Sequence, residues 1–170
     1  RSVSEVVIVH SRVDEKEIRR LVDDLHPIQP VRYALGGVER EDSVYNGLMA
    51  VSRDMDVVMV HDGARPFAGP DWYDQGAAIM ETAKAAIYGI PLKDTVKVRG
   101  DDGRLHTLNR SRLVAAQTPQ IFQRDLLVKA HEHARAEGIQ ATDDASLVEA
   151  LGVPVVILEG SEKNRKVTTR

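Results

Sequence analysis

The stretch Val57-Val58-Met59-Val60-His61-Asp62-Gly63-Ala64-Arg65-Pro66 decides the fold. Its first half is a continuous apolar run, as expected for a strand covered on both faces rather than one with a wet side. Its second half is a polar turn carrying an acid, a glycine and an arginine. An abrupt change from buried strand to charged turn is what the edge of an α/β sheet looks like in sequence.

Working outward, similar runs recur at Val6–His10, Val31–Leu35, Ala85–Ile90, Leu113–Gln117 and Val153–Leu158. Amphipathic segments lie between them. Asp14–Leu25 puts Ile18, Leu21, Val22 and Leu25 at helical spacing, and Ser43–Val51 does so with Val44, Leu48 and Val51. Helices are predicted from Pro70 to about Lys84 and over Gln123–Glu137, where Gly138 supplies a stop. A last helix spans Asp143–Leu151, capped by Thr142 or Asp143 and ended by Gly152. The alternation predicts an α/β fold with a mainly parallel sheet flanked by helices, and ligands at the carboxyl ends of the strands.

One segment breaks the pattern. Thr95–Arg99, the turn Gly100-Asp101-Asp102-Gly103, and Arg104–Leu108 read as a two-stranded ribbon. Both of its faces are mostly polar, which suits a protruding β-arm rather than a core element.

Composition narrows the function. The chain has 170 residues, 42% hydrophobic and 29% charged, the profile of one ordinary globular domain. Lys+Arg 23 against Asp+Glu 26 gives a net charge of -3, so no general polycation is present for nucleic acid or an anionic membrane. With no cysteine, a disulfide scaffold, a cysteine–zinc site and a thiol nucleophile are excluded. No apolar run approaches the roughly 18–20 residues that span a bilayer. No signal-peptide pattern opens the chain, and the expected location is the cytoplasm.

Several segments can carry chemistry. Gly36-Gly37-Val38-Glu39-Arg40-Glu41-Asp42-Ser43 follows a strand and opens a helix. Its glycines permit close backbone approach and Ser43 offers a hydroxyl, but taken alone, being neither G-x-G-x-x-G nor a Walker loop, it reads better as a flexible loop with Asp42 as helix cap. His61–Pro66 offers Asp62 to a magnesium ion and Arg65 to a phosphate; a local Asp–Arg pair in a turn is the alternative. Pro91–Thr95, Asn109-Arg110 and Lys166 supply further polar groups, of which Lys93 reads as a solvated charge. Gln117-Thr118-Pro119-Gln120 reads as a polar break after a strand. Thr142-Asp143-Asp144-Ala145-Ser146 is a helix cap that can also receive a phosphate. His131-Glu132-His133 is not a metal motif, because residues two apart on a helix point to different faces.

In order, these segments closely resemble the 2-C-methyl-D-erythritol 4-phosphate cytidylyltransferase family of the non-mevalonate isoprenoid pathway. The matching pieces are Gly36-Gly37 through Gly47-Leu48, His61–Pro66, Asp94-Thr95, Asn109-Arg110, Gln117–Gln120, Thr142–Ser146 and Glu159-Gly160 through Thr168. Two alternatives stand beside it. One is ribitol-5-phosphate cytidylyltransferase, against which Ala64 before Arg65 weighs; the other is a catalytically inactive binding or dimerising fragment.

The resemblance implies a Rossmann-like nucleotidyltransferase fold, with residues 1–170 as one domain and residues 95–112 as a dimerisation arm. It implies a homodimer, CTP and methylerythritol phosphate as substrates, and Mg2+ as cofactor. Gly37, Ser43, Asp62 and Gly63 take nucleotide positions, Asp62 also that of the metal carboxylate. Arg65, Thr95, Arg110, Thr142 and Lys166 take the alcohol-phosphate positions. Arg110 and Lys166 stand where the family positions the phosphate for attack, Arg110 from the neighbouring arm. The family opens with a strand and a glycine-rich loop whose arginine and lysine grip the triphosphate. Nothing before Val6 matches that unit, which is expected to be missing here, and Arg12 and Lys16 follow the second strand instead of the first.

Overall fold

The computed structural model describes residues 2–168. Its strands are β1 (Val6–His10), β2 (Val31–Leu35), β3 (Val57–Val60), β4 (Ala85–Pro91), β5 (Lys97–Arg99), β6 (Leu105–Thr107), β7 (Val114–Gln123) and β8 (Val156–Glu159). Its α-helices are α1 (Glu15–Leu25), α2 (Arg40–Ala50), α3 (Pro70–Ile79), α4 (Arg124–Glu137) and α5 (Asp144–Ala150).

The central sheet has the order β3-β7-β4-β8, and β1 pairs with β2 in a separate parallel pair. β4 and β8 are parallel, while β7 runs antiparallel to both β3 and β4. The expectation of a mainly parallel sheet therefore holds for the directions of β3, β4 and β8 and for the β4–β8 pairing, but not between β3 and β4. There the antiparallel β7 intervenes, and the sheet is mixed.

β7 also corrects the reading of Gln117–Gln120 as a break, for the strand runs straight through it. Ile87 faces Gln120 while the next residue, Tyr88, faces Gln117, so Thr118 and Pro119 sit in a bulge. A proline there costs the ladder no hydrogen bond, since the bulge has already removed the pairing.

Side-chain alternation builds two layers around this sheet. Ala85, Ile87, Val58 and Phe122 face Leu48 of α2, Leu127, Ala130 and Ala134 of α4, and Ala145, Leu147 and Val148 of α5. The opposite face carries Tyr88 and Ile121. Tyr88 stacks on Trp72 of α3 with ring centroids 4.2 Å apart and donates its hydroxyl to the Trp72 carbonyl at 2.7 Å. Burying that phenol pushes its pKa up to about 12, so it stays a donor throughout the physiological range.

The helix boundaries have local causes. α2 starts at Arg40, three residues earlier than predicted, because Glu39 and Asp42 form a reciprocal capping box. Asp42 is thus the third residue of the helix and not the cap. α3 stops at Ile79, short of Lys84, in a run of turns in which Glu81 N–H and Ala83 N–H bond back to Ala78 and Ile79. Asp143 caps α5, its Oδ1 accepting from Ser146 N–H at 3.1 Å. Gly138 closes α4 at φ 67°, where a side chain would be strained. β8 starts at Val156, after Pro154, rather than at Val153.

β5 and β6 form the predicted ribbon, with every residue of both strands exposed. Among the described residues, no helix is long and apolar enough to cross a membrane.

Candidate active site

The site grows from the end of β3. His61 Nε2 lies 3.0 Å from the Arg65 carbonyl, which can only accept, so Nε2 carries the hydrogen. Nδ1 is then the acceptor and takes the Thr118 hydroxyl at 3.1 Å. The same hydroxyl oxygen accepts the Asp62 N–H at 3.0 Å. A chain of three groups thus fixes the backbone that presents Asp62. Arg65 N–H closes the turn onto the Asp62 carbonyl at 2.9 Å.

Asp62 Oδ2 lies 3.0 Å from Lys166 Nζ and 3.4 Å from Arg65 Nε. Lys166 arrives there because the segment after β8 is strapped across the sheet edge. Gln117 holds Ser161 from both sides, donating to its carbonyl at 2.9 Å and accepting its N–H at 3.1 Å. The buried Asn164 donates to the Thr118 carbonyl at 2.8 Å, and the Asn164 carbonyl accepts from Arg65 Nη1 at 2.8 Å. Val167 N–H reaches the Ala64 carbonyl at 2.8 Å. Two cations around one carboxylate leave a surplus positive charge, which favours phosphate. The Lys166 side chain is 46% exposed against 17% for Asp62, so Lys166 is the group an incoming ligand meets.

The Gly36–Ser43 loop forms a second half. Gly37 N–H donates to Ser43 Oγ at 3.0 Å, and that hydroxyl donates to the Glu39 carbonyl at 3.1 Å. A Cβ on Gly37 would lie 2.1 Å from Asp42 Cβ, so only glycine permits this turn. Gly36, Gly37 and Ser43 line a cleft of about 490 Å³ with Val9, His10, Ser11 and Arg12.

Not every predicted residue joins these groups. Gly63 is exposed in the Asp62 turn, with open space where a side chain would go. Thr142 is exposed just before α5, and Thr95 is exposed at the base of the arm. Arg110 donates to the Lys93 carbonyl and lines a separate cleft of about 460 Å³ with Pro91, Ile157 and Glu159. Lys93 itself pairs with Glu162.

Sequence reading missed one cluster. Arg40 Nη2 lies 2.7 Å from Asp144 Oδ2, and His131 Nε2 lies 3.1 Å from Asp144 Oδ1. Asp144 is wholly buried. Burial pushes its carboxyl upward, but the His131 hydrogen bond and the Arg40 charge more than offset that and hold it below the ordinary carboxylate value. Asp62 and Asp143 also contribute to the negative field around Arg40. The spacing of these residues along the chain carries no signal for this cluster.

Among the described residues, no group of three or more histidine or acidic side chains is placed to hold a metal. Magnesium, however, commonly uses one or two carboxylates and completes its shell with water and substrate phosphates. Asp62 fits that role, since both of its ion pairs use Oδ2 and leave Oδ1.

A mixed α/β sheet with an acid, an arginine and a lysine converging at one strand edge defines a Rossmann-like nucleotidyltransferase. Residues 1–170 match the family described as 2-C-methyl-D-erythritol 4-phosphate cytidylyltransferase. The chain is 42% identical over 170 residues to the protein of that name from Microcystis aeruginosa, covering 99% of this chain and 75% of the relative. It is 46% identical over 172 residues to that of Pelotomaculum thermopropionicum, covering 99% and 71%. The crystal structure of 4-diphosphocytidyl-2C-methyl-D-erythritol synthase from Anaerococcus prevotii superposes with a TM-score of 0.92 at 32% identity, covering 99% of this chain and 74% of that one. The chain belongs to the 2-C-methyl-D-erythritol 4-phosphate cytidylyltransferase family.

Proposed function

We propose that this protein joins CTP and 2-C-methyl-D-erythritol 4-phosphate, releasing pyrophosphate, with Asp62, Arg65 and Lys166 at the centre of the reaction. A phosphate oxygen of the alcohol phosphate attacks the α-phosphorus of CTP. The new P–O bond forms as the bond to the bridging oxygen of pyrophosphate breaks, and no covalent enzyme intermediate is needed. Catalysis rests on positioning and on charge placed where it develops, so it uses cations and not an activated nucleophile.

The observation that carries this reading is the meeting of Lys166, Arg65 and Asp62 within ion-pair distance, in a chain of this family. Lys166 meets the attacking phosphate and Arg65 holds it. Gly37 and Ser43 take the cytosine end, and Gly63 lies beside the nucleotide. Thr142 supports the alcohol phosphate from the start of α5. Asp62 would hold Mg2+, which when bound neutralises phosphate charge.

The working unit in this reading is a homodimer in the cytoplasm. The exposed β5–β6 ribbon clasps a second copy, and Thr95 and Arg110 of the arm serve the pocket of that copy. This accounts for the position of Arg110 outside the Asp62 cluster in its own chain.

Pyrophosphate release by the intact protein tests the reaction. Turnover with CTP and methylerythritol phosphate should exceed turnover with ribitol 5-phosphate. Faster use of ribitol phosphate would overturn the choice of alcohol, and no release with either would overturn the reaction.

A further inference from the structure

Three consecutive side chains in the first turn of α2 reach the corner between α4 and α5. Arg40 Nη2 meets Asp144 Oδ2 at 2.7 Å, Glu41 Oε1 accepts the Ala141 N–H at 2.6 Å, and Asp42 Oδ1 lies 3.0 Å from Arg135 Nη2. Successive helix residues point about 100° apart. Three in a row meeting one neighbour means that the end of α2, not a single face, abuts that corner.

The two ends so joined are the two loops of the site. The first turn of α2 lies between Gly37 and Ser43, on the nucleotide side. Ala141 and Asp144 bracket Thr142, on the alcohol-phosphate side. Of the three links, only that of Arg40 goes to a wholly buried acid. Asp144 cannot turn away, because His131, buried behind it, holds its other oxygen at 3.1 Å. Arg40 is therefore the link with a wholly buried far end, while Asp42 and Arg135 are both over two-fifths exposed, so that water screens their pair.

We propose that Arg40 is a positioning residue that couples the two substrate loops. Ordering the Gly37–Ser43 loop around the nucleotide sets Arg40. Through the immobile Asp144–His131 pair, Arg40 then sets the turn that presents Thr142. Nucleotide binding thereby tightens the grip on the alcohol phosphate, and linkage requires the reverse as well. The proposal rests on the substrate roles given under the proposed function.

Two-substrate initial-rate kinetics on the intact protein test it. In the natural protein, raising CTP to saturation should lower KM for methylerythritol phosphate about 5-fold or more, the lower end of ordinary coupling. In Arg40→Gln that KM should no longer depend on CTP, and Arg40→Lys, which keeps the charge, should restore part of the dependence. A purely structural Arg40 would lower melting temperature and the number of active sites yet leave the dependence on CTP intact. If Arg40→Gln does not fold, Glu41→Ala cuts a neighbouring link without stranding a buried charge and should weaken the same dependence. Coupling retained in a folded variant, or absent from the natural protein, overturns the proposal. Failure of the natural protein to release pyrophosphate from CTP and methylerythritol phosphate overturns the assigned reaction instead.

Discussion

Lys166 Nζ lies 3.0 Å from Asp62 Oδ2, so the ammonium proposed to meet the substrate phosphate is paired with the carboxylate proposed to hold magnesium. A cation held through the other oxygen, Oδ1, would share the carboxylate charge and loosen the hold of Oδ2 on Lys166. Lys166→Ala should lose roughly 10²–10³ in turnover, about 3–4 kcal/mol of transition-state stabilisation. Its ion pair is nearly half exposed, so unfolding free energy should change by less than about 1 kcal/mol. Turnover by pyrophosphate release and stability by urea titration check both parts, and near-normal turnover returns Lys166 to a surface charge.

Asp62→Asn should raise the magnesium requirement or abolish turnover. The natural protein should lose activity in EDTA and regain it on adding Mg2+. A carboxylate that served only to bridge Arg65 would instead give a modest loss of stability and activity indifferent to chelation.

A shared site predicts complementation. Arg110→Ala and Lys166→Ala proteins, each nearly inactive, are unfolded and refolded as an equal mixture. Half the dimers should be mixed, and one site in each carries both residues intact, so about one quarter of all sites recover if association is random. Recovery near zero, with mixed dimers verified by native mass spectrometry, places both residues within one chain.

The third residue pair to test is Arg40 and Asp144, through acid stability. Because folding lowers the Asp144 pKa, its contribution is fully present above the unfolded value near 3.9 and is lost as pH falls through the lower folded value. Asp144→Asn should remove that part of the acid limb, leaving a shallower decline below about pH 4. At neutral pH it should cost about 2–3 kcal/mol. That is less than for a fully buried pair, because the Arg40 side chain is 37% exposed and can hydrate. Urea titrations across pH 2–7 would show parallel acid limbs if Asp144 were not charged in the native state.

Gly37→Ala should impair nucleotide binding more than stability. The new methyl group would overlap Asp42 at 2.1 Å and force the loop open, while the core lies elsewhere. CTP affinity by calorimetry should fall at least tenfold, and an unchanged affinity would remove the loop from the nucleotide site.

Apolar continuity made β1, β2, β3 and β4 legible, since each is a short run whose pattern needs no partner to be read. Polar residues misled wherever their partners lie far along the chain. Gln117 and Gln120 look like the end of a strand until Gln117 is seen holding Ser161 and Gln120 donating to Asp143 at 2.7 Å. Satisfied in this way, they are buried at no penalty and the strand continues. The same limit hid Arg40–Asp144–His131, whose members read separately as a loop residue, a cap and part of a failed metal motif. Asp62, Arg65 and Lys166 were recoverable because a recognisable order of motifs named them. The physical reason they meet, the strap from Gly160 to Val167, is held by the Gln117, Asn164 and Arg65 side chains on backbone groups more than forty residues away, a pairing that local sequence does not reveal.

The direction of β7 has a bearing on the arm. β3 and β4 finish at the rim that carries Asp62, and a strand opposed to both begins there. The chain that leaves β4 at Pro91 therefore re-enters the sheet at Val114 on the same rim, and the ribbon between them hangs from it as a detour. A parallel β7 would need a crossover spanning the whole sheet, with a length set by the strands beneath it. A detour has no such tether. Its tip, from Gly100 to Gly103, can be lengthened or rewritten without displacing any pairing of the central sheet or the bases that carry Thr95 and Arg110, so the outer surface of this molecule can diverge while the pocket keeps its residues.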